Sequence, residues 1–332
     1  MSGLRDSAVG RLRQVAGLPE FRTDRYELLD EIGRGGMGTV YSATDRELGR
    51  EVAIKIPNGL EASGLEQRLQ REARVLARLE HPGIVPIHDA GRLADGRLFY
   101  VMKWVRGRTL REHLPSIPDL AERLRVFDRI CDPVAFAHAA GGIHRDLKPD
   151  NVMLGAFGEV MVMDWGVAKQ LGTPADEAAA ISTSRPEYTT QAGTVIGTTG
   201  FMPPEQARGG GADVDVRADV FSLGAILYLL LTGHEPAGDG DPASSLRARR
   251  DIAKPLRAIC ARALHPEPSG RYASVTALSD DVARFRSGQA VSAYRETPFE
   301  NLARVARTYQ VAILLVLGYI IMRVAVAVFA GW

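Results

Sequence analysis

Cysteine is scarce in this sequence: Cys131 and Cys260 are the only two in 332 residues. They are far apart, lack a C-x-x-C partner and lie in apolar, helix-like stretches. That points to buried reduced thiols in a reducing compartment rather than a disulfide framework. The seven histidines form no H-E-x-x-H pair and no Cys/His cluster, which speaks against a zinc site. The net charge is only +1, so bulk electrostatics offers no case for a nucleic-acid partner. No G-x-x-x-x-G-K-[ST] occurs, which excludes a P-loop as a phosphate cradle. Residues 1–20 lack the apolar core of a signal peptide. What remains is ordinary globular material, 45% apolar and 24% charged, long enough for one large domain or two lobes with flanks.

Residues 1–25 carry scattered leucines and arginines and are expected to be a flexible N-terminal flank. From Tyr26 to Ile32 the pattern alternates as in a strand, then runs into Gly33, Gly35, Gly36 and Gly38. A second strand-like run opens at Val40. A G-x-G-x-x-G alone is weak, because dinucleotide folds share it. There a helix follows the glycines; here a strand does, which favours a hairpin flap whose N–H groups lie over phosphates.

The strand from Glu51 to Ile56 holds one lysine, Lys55, in an apolar run. Either its head snorkels to water at a sheet edge, or it reaches into a cleft and needs an acid. The helical stretch 64–79 places Leu65, Leu69, Leu76 and Leu79 on one face, and Glu72 falls on that face whereas Glu66 does not. A carboxylate on an apolar face is costly unless paired, so Lys55–Glu72 is the natural pair. Further strands through Met102 complete a small, mostly antiparallel lobe. Helical sequence follows, giving an α+β, two-lobe architecture with a cleft at the connection.

The stretch from His144 to Asn151 packs Asp146, Lys148, Pro149 and Asn151 between a helical run ending at Gly141-Gly142 and a short apolar strand, Val152 to Leu154. Pro149 prevents a continuing helix, so these polar residues sit on a loop held between packed elements. Asp146 alone could be a merely solvated acid. The full H-R-D-x-x-x-x-N spacing is far more specific.

Together, GRGGMGTV, VAIK, Glu72, HRDLKPDN, Met163-Asp164-Trp165-Gly166, Pro203-Pro204-Glu205 and the run from Ala218 to Gly224 make residues 26–286 resemble a eukaryotic-type Ser/Thr protein kinase of the bacterial transmembrane kind. The resemblance implies a protein-kinase fold with a small β-rich N-lobe and hinge (26–105) and a larger helical C-lobe (106–286). It implies ATP with Mg²⁺, Mn²⁺ being an alternative ion, and protein substrates phosphorylated on Ser or Thr. By the same resemblance Asp146 takes or orients the substrate hydroxyl proton and Lys148 contacts the γ-phosphate. Asn151 and Asp164 hold the metal. Lys55, pinned by Glu72, holds the α/β-phosphates under a flap of Ile32, Gly33, Arg34, Gly35, Gly36, Met37 and Gly38. Met102 stands at the gatekeeper position and Val105 meets adenine through its backbone. Val40, Ala53 and Met153 sandwich the adenine ring. Glu205 pairs with Arg271, Asp219 braces the catalytic loop, and Thr198 contacts Asp146 and Lys148. Phosphoryl transfer needs such groups because it is mostly positioning and charge neutralisation.

Several positions depart from the family pattern. Trp165 replaces a phenylalanine, read as larger aromatic packing. Lys103 and Arg106 stand where hinge acids are common, and Pro203 replaces an alanine. The segment between Asp164 and Glu205 contains Thr183, Ser184, Thr189, Thr190 and Thr194. Thr190 and Thr194 are the candidates for activation-loop autophosphorylation, docking on Arg145; a homodimer is one arrangement that would serve it. The stretch from Gly233 to Pro255 is short and polar. Ala258 to Leu264 and Ser274 to Phe285 read as the last helices. A pseudokinase scaffold is disfavoured by the intact Lys55, Asp146, Asn151 and Asp164. A small-molecule kinase of the same fold is disfavoured by Lys148, the long activation segment and Pro204-Glu205.

Beyond the domain, residues 287–309 read as a juxtamembrane linker and 310–332 as a transmembrane helix, with no sensor domain after it. Val311 to Met322 is apolar throughout, and Val324 to Trp332 is apolar again. Together they supply about the 20 residues a bilayer span needs. Arg295, Arg304 and Arg307 precede the run, so positive-inside logic places the kinase domain in the cytoplasm, on a single-pass protein of the inner membrane. Arg323 counts against a clean span, at roughly +2.5–3.5 kcal/mol near the centre. A buried C-terminal helix and a helix in the membrane interface are the competing readings.

Overall fold

The computed structural model describes residues 19, 24–35, 38–57, 79–165, 199–208, 214–237 and 242–330. Most of the expected flank, the stretch bearing Glu72, Gly36 and Met37 of the flap, and the segment with Gly166, Thr190, Thr194 and Thr198 lie outside them.

An antiparallel five-stranded sheet builds the N-lobe: β1 (Tyr26–Gly35), β2 (Gly38–Asp45), β3 (Arg50–Pro57), β4 (Ile87–Arg92) and β5 (Leu98–Lys103), in the order β1-β2-β3-β5-β4. Period-two alternation assigns each face of this sheet a job. Val52, Ile54 and Ile56 point one way, into a core with Tyr26, Leu28, Tyr41, Ala43, Leu93, Phe99 and Val101. Ala53 and Lys55 point the other way. Val40 is opposite Lys55 and Met102 is opposite Ala53, so these four residues share the second face. The hairpin closes at Gly35 opposite Gly38. Gly38 is obligatory there: its φ is +148°, and a Cβ would stand 2.4 Å from the Ile56 carbonyl oxygen.

A small antiparallel sheet of β6 (Gly107–Thr109), β7 (Val152–Gly155) and β8 (Val160–Val162) lies beyond the hinge. A parallel bridge from Ile84 to Val162 ties it back toward the N-lobe sequence. The C-lobe follows with α1 (Leu110–His113), α2 (Leu120–Ala139), α3 (Pro204–Ala207), α4 (Arg217–Thr232), α5 (Pro242–Ala248), α6 (Lys254–Ala263) and α7 (Val275–Arg286). Every residue of α4 from Ala218 to Leu231 is buried, which its all-round apolar sequence requires. α2, α6 and α7 pack against it. Gly233, at φ +76°, ends α4 in the left-handed conformation, its N–H donating to the Leu229 carbonyl. Both cysteines are free and buried in this core.

Residues 287–309 are not a loose connection. Val291 is buried, and Asp281 accepts from Ser292 N and Oγ and from Ala293 N at 2.7–3.0 Å. α8 (Pro298–Thr308) then begins with a reciprocal cap between Thr297 and Glu300. Glu300 also takes Lys254 Nζ at 2.6 Å and the Tyr294 hydroxyl, tying the start of α8 to the C-lobe. These groups hold the Glu300 carboxyl down at about 2, the Lys254 hydrogen bond contributing most.

The tail corrects an expectation. α9 (Gln310–Ala330) is helical and its apolar side chains are exposed, Leu314 by 67% and Ile321 by 67%. It is therefore not a buried C-terminal helix. Among the described residues, however, no helix is long and apolar enough to cross a membrane. Arg323 is the one charged residue in α9. The uninterrupted apolar run before it, Val311 to Met322, rises only about 18 Å as a helix, against roughly 30 Å of bilayer hydrocarbon.

Candidate active site

The loop from His144 to Asn151 is locked from below. Asp219, fully buried on α4, accepts from Arg145 N (2.8 Å), His144 N (2.8 Å) and His138 Nε2 (2.7 Å). Burial pushes this carboxyl up. The hydrogen bond and charge of His138, together with His144, outweigh that and hold it below the usual range. Arg145 is one of two non-glycine residues with positive φ among the described residues, at +66°; the other is Asp164, at +56°. Such backbone persists only where neighbours over-determine it. Gln206 of α3 adds to that, donating from Nε2 to the Arg145 carbonyl at 2.8 Å.

The His144 ring is also fixed. Asp146 N–H donates to its Nδ1 at 3.3 Å, so Nε2 carries the proton and donates to the Met163 carbonyl at 2.8 Å. The ring lies against Trp165, with centroids 4.7 Å apart. Trp165 is buried and its Nε1–H is satisfied by the Val162 carbonyl at 3.0 Å. The larger aromatic thus fits as packing with a partnered N–H.

Asp146 receives Lys148 Nζ at 2.9 Å and Asn151 Nδ2 at 3.1 Å, both on Oδ2; the same Nδ2 donates to the Asp146 carbonyl at 2.7 Å. Asn151 thereby spends its donors on Asp146, which leaves its amide oxygen for a cation. Across the cleft, Lys55 Nζ meets Asp164 Oδ1 at 2.7 Å. Lys55 thus rests on Asp164; its expected partner Glu72 lies outside the described residues. Asn151 and Asp164 offer hard oxygen donors and nothing softer, which suits Mg²⁺ or Mn²⁺ completed by water and phosphate. Among the described residues no group of three or more His, Cys, Asp or Glu could hold a metal.

The second sheet face places Val40, Ala53, Lys55 and Met102 together over the cleft, with Met153 on β7 and Val105 in the hinge, both half-buried. Ile32 and Arg34 lie on the exposed β1 rim, where Arg34 is bound to Glu31. At the hinge, Arg106 pairs with Glu51 and its guanidinium lies 4.7 Å from the Trp104 ring centroid, so this departure from the pattern sits on the rim. Below, Arg271 is fully buried and holds Glu205 through two bonds of 2.7 and 2.8 Å. Pro203 caps the short helix that carries Glu205.

Three functional-looking contacts had no place in the sequence reading. His138 shares Asp219, Gln206 holds Arg145, and Arg111 on α1 binds Asp150. Only the third left a local signal: Thr109 and Glu112 form a capping box that fixes the turn bearing Arg111.

A β-sheet lobe with a glycine hairpin, over a helical lobe whose loop presents Asp146, Lys148 and Asn151, defines a phosphotransfer domain of the protein kinase class. The Protein kinase domain model matches residues 26–286, and the chain belongs to that family. It is similar to serine/threonine-protein kinase PknB of Mycolicibacterium smegmatis, at 37% identity over 294 residues, covering 83% of this chain and 45% of that protein. It is also similar to PknD of Chlamydia trachomatis, at 35% over 300 residues, covering 80% and 32%. Among solved structures, the kinase domain of Mycobacterium tuberculosis PknI superposes with a TM-score of 0.59 at 25% identity, covering 79% of this chain and 96% of that one. The chain therefore spans less than half the length of these two curated relatives. Membership in the family implies use of ATP and a divalent metal.

Proposed function

We propose that this protein transfers the γ-phosphate of ATP to serine or threonine hydroxyls of proteins. The observation that carries the reading is the convergence of Lys148 and Asn151 on Asp146, facing the Lys55–Asp164 pair. Asp146 is left one carboxylate oxygen for the incoming hydroxyl and takes its proton as the O–P bond forms. Lys148, alongside, steadies the transferred phosphoryl group. Lys55 moves from Asp164 to the α/β-phosphates, with Glu72 as its second partner. Val40, Ala53, Met102 and Met153 exclude water around the base, and Val105 holds its edge. Asn151 and Asp164 would hold the divalent ion, which when bound neutralises phosphate charge. Similarity to proteins named serine/threonine-protein kinases supports the acceptor class. The test is labelled-phosphate incorporation into protein by wild type and by Asp146→Asn. A drop of at least about a hundredfold is expected from losing the base; equal background in both overturns the reading in favour of a nucleotide-binding scaffold.

Two finer readings go with it. Thr190 or Thr194 is autophosphorylated in a homodimer and docks on Arg145, whose left-handed backbone presents it beside Asp146. Phosphopeptide mapping of active enzyme that finds neither modified would sink this. The kinase domain is attached to the cytoplasmic face of the inner membrane through α9. The exposed apolar side chains of α9 and the arginines before it support that attachment. Full-length chain that stays in the soluble fraction, as a truncation lacking 308–332 should, overturns it.

A further inference from the structure

Beside the acceptor side of the loop, one arginine occupies a place that a substrate side chain could take. Asp150 lies between Lys148 and Asn151 in the turn Pro149–Asn151, four residues after Asp146. Its carboxylate faces outward and is held by Arg111 in a two-pronged pair, Nε to Oδ1 at 2.7 Å and Nη2 to Oδ2 at 2.8 Å. The remaining arm of the same guanidinium, Nη1, reaches Glu235, just after the left-handed Gly233 that ends α4. Three elements far apart in sequence thus meet at one guanidinium. The hydrogen bond and charge of Asp150 raise Arg111, and Arg111 in turn lowers Asp150, so the pair is fully ionised at neutral pH. The base of the arrangement is rigid, because Arg111 is in the first turn of α1, fixed by the Thr109–Glu112 capping box.

The charges decide what this does. Asp150, on the same loop as the hydroxyl-accepting Asp146, and Glu235 bring two negative charges to one guanidinium. Left bare, they would attract lysine or arginine flanking the phosphoacceptor. Arg111 fills both with a planar fork suited to carboxylates, and it does so intramolecularly, at no cost in translational freedom. A basic substrate side chain would have to displace it to gain the same contacts, with little net return.

We propose that Arg111 is a specificity-determining residue: by occupying Asp150 and Glu235 it makes the kinase indifferent to basic residues around the acceptor. The proposal rests on the protein kinase reading above. It assigns the acceptor class as hydroxyl-bearing segments without a required arginine or lysine. Removing Arg111 converts the same surface into an arginine-selecting one.

The experiment uses the full-length chain and paired peptides, identical except that arginine replaces alanine at each position within three residues of a central serine. Wild type, Arg111→Ala, Arg111→Lys and the double variant Arg111→Ala/Asp150→Ala are compared. The first readout is the kcat/KM ratio of arginine peptide to alanine peptide. It should be near one in wild type. For at least one position it should rise about tenfold in Arg111→Ala, the effect of uncovering close opposite charges. It should return toward one in Arg111→Lys and in the double variant, and shrink with added salt. The second readout is the binding of a peptide with alanine in place of the serine, followed by fluorescence anisotropy. It needs no phosphoryl transfer, so it separates the two ideas. Arginine-dependent binding that appears only in Arg111→Ala, with no transfer by any form, keeps the specificity role and overturns the kinase reading. Transfer with an unchanged ratio and unchanged binding in Arg111→Ala, which remains folded by circular dichroism, overturns the specificity role. So does a wild-type enzyme that already selects arginine.

Discussion

The buried Arg271 offers the sharpest test of how the C-lobe is held. All of its donor groups are spent: Nε on the His265 carbonyl (2.7 Å), Nη1 on Glu205 (2.7 Å) and the Arg217 carbonyl (3.0 Å), Nη2 on Glu205 (2.8 Å) and the Pro266 carbonyl (2.8 Å). Its guanidinium also lies 4.9 Å from the Phe221 ring centroid. Arg271→Met would strand a carboxylate that is only 14% exposed and three carbonyls at once. Breaking one side of such a buried pair costs about 3–5 kcal/mol, a large part of the roughly 5–15 kcal/mol that holds a domain together. Arg271→Lys offers a single point of three donors in place of the fork, and is expected to cost about 2 kcal/mol. The double variant Glu205→Leu/Arg271→Met removes the stranded charge but not the stranded carbonyls. It should recover roughly half of the loss, each unmet polar group costing about 1–3 kcal/mol. Urea unfolding of the full-length chain in mild detergent, followed by far-UV circular dichroism, measures all three. Activity should fall beyond the stability loss, because Glu205 and Gln206 share α3, and Gln206 holds the Arg145 carbonyl. A cost for Arg271→Met below about 1 kcal/mol, the worth of an exposed ion pair, would refute the reasoning.

Other consequences follow from single contacts. Asp219→Asn puts an amide N–H₂ against the donors of His138, His144 and Arg145, and should cost about 3 kcal/mol at neutral pH. Because the native Asp219 carboxyl is depressed, its contribution is complete above the ordinary carboxyl value of about 3.9 and is lost as pH falls through the lower native value. The stability gap between wild type and variant should therefore hold at neutral pH and narrow in strong acid; a gap independent of pH would contradict it. Gly38→Ala forces a Cβ to within 2.4 Å of the Ile56 carbonyl oxygen at φ +148°; about 2–3 kcal/mol of strain and weaker nucleotide binding are expected, read by thermal unfolding and calorimetric titration. Trp165→Phe keeps the ring against His144 and forfeits one bond to the Val162 carbonyl. About 1 kcal/mol of stability should go, with turnover nearly unchanged; a tenfold loss in kcat would mean the indole tunes the site.

Local sequence carried much of the fold and the cleft because their elements are written in short patterns. Alternation in β3 separated Ile54 from Lys55, and the strand pairing then put Val40 and Met102 on the face of Lys55. The last two C-lobe helices, read as Ala258 to Leu264 and Ser274 to Phe285, appear as Lys254–Ala263 and Val275–Arg286. The ends move because Pro255 starts the first helix early and Ser274 caps the second. What was not legible depends on contacts between distant segments. Arg111 reaches Asp150 and Glu235 across 39 and 124 positions, and no periodicity encodes that. The stretch 287–309 is a different case. Its Thr297-Pro-Phe-Glu300 is a capping-box signal for a helix, visible in the sequence but overridden by the polar composition around it.

The docked segment after residue 286 also changes the mechanics of the molecule. A free coil of the 23 residues from 287 to 309 would let the kinase domain wander through a sphere of roughly 27 Å r.m.s. radius about its anchor. With Asp281 gripping Ser292 and Ala293, and Lys254 gripping Glu300, the remaining lever is the 11-residue α8, about 16 Å long and stiff. The kinase domain is thereby held close to the start of α9 instead of wandering from it. Reach is traded for aim: on the attachment proposed above, two copies anchored on one surface would meet in fewer orientations than two on free coils, and targets near that surface would be sampled more often than those free in the surrounding volume.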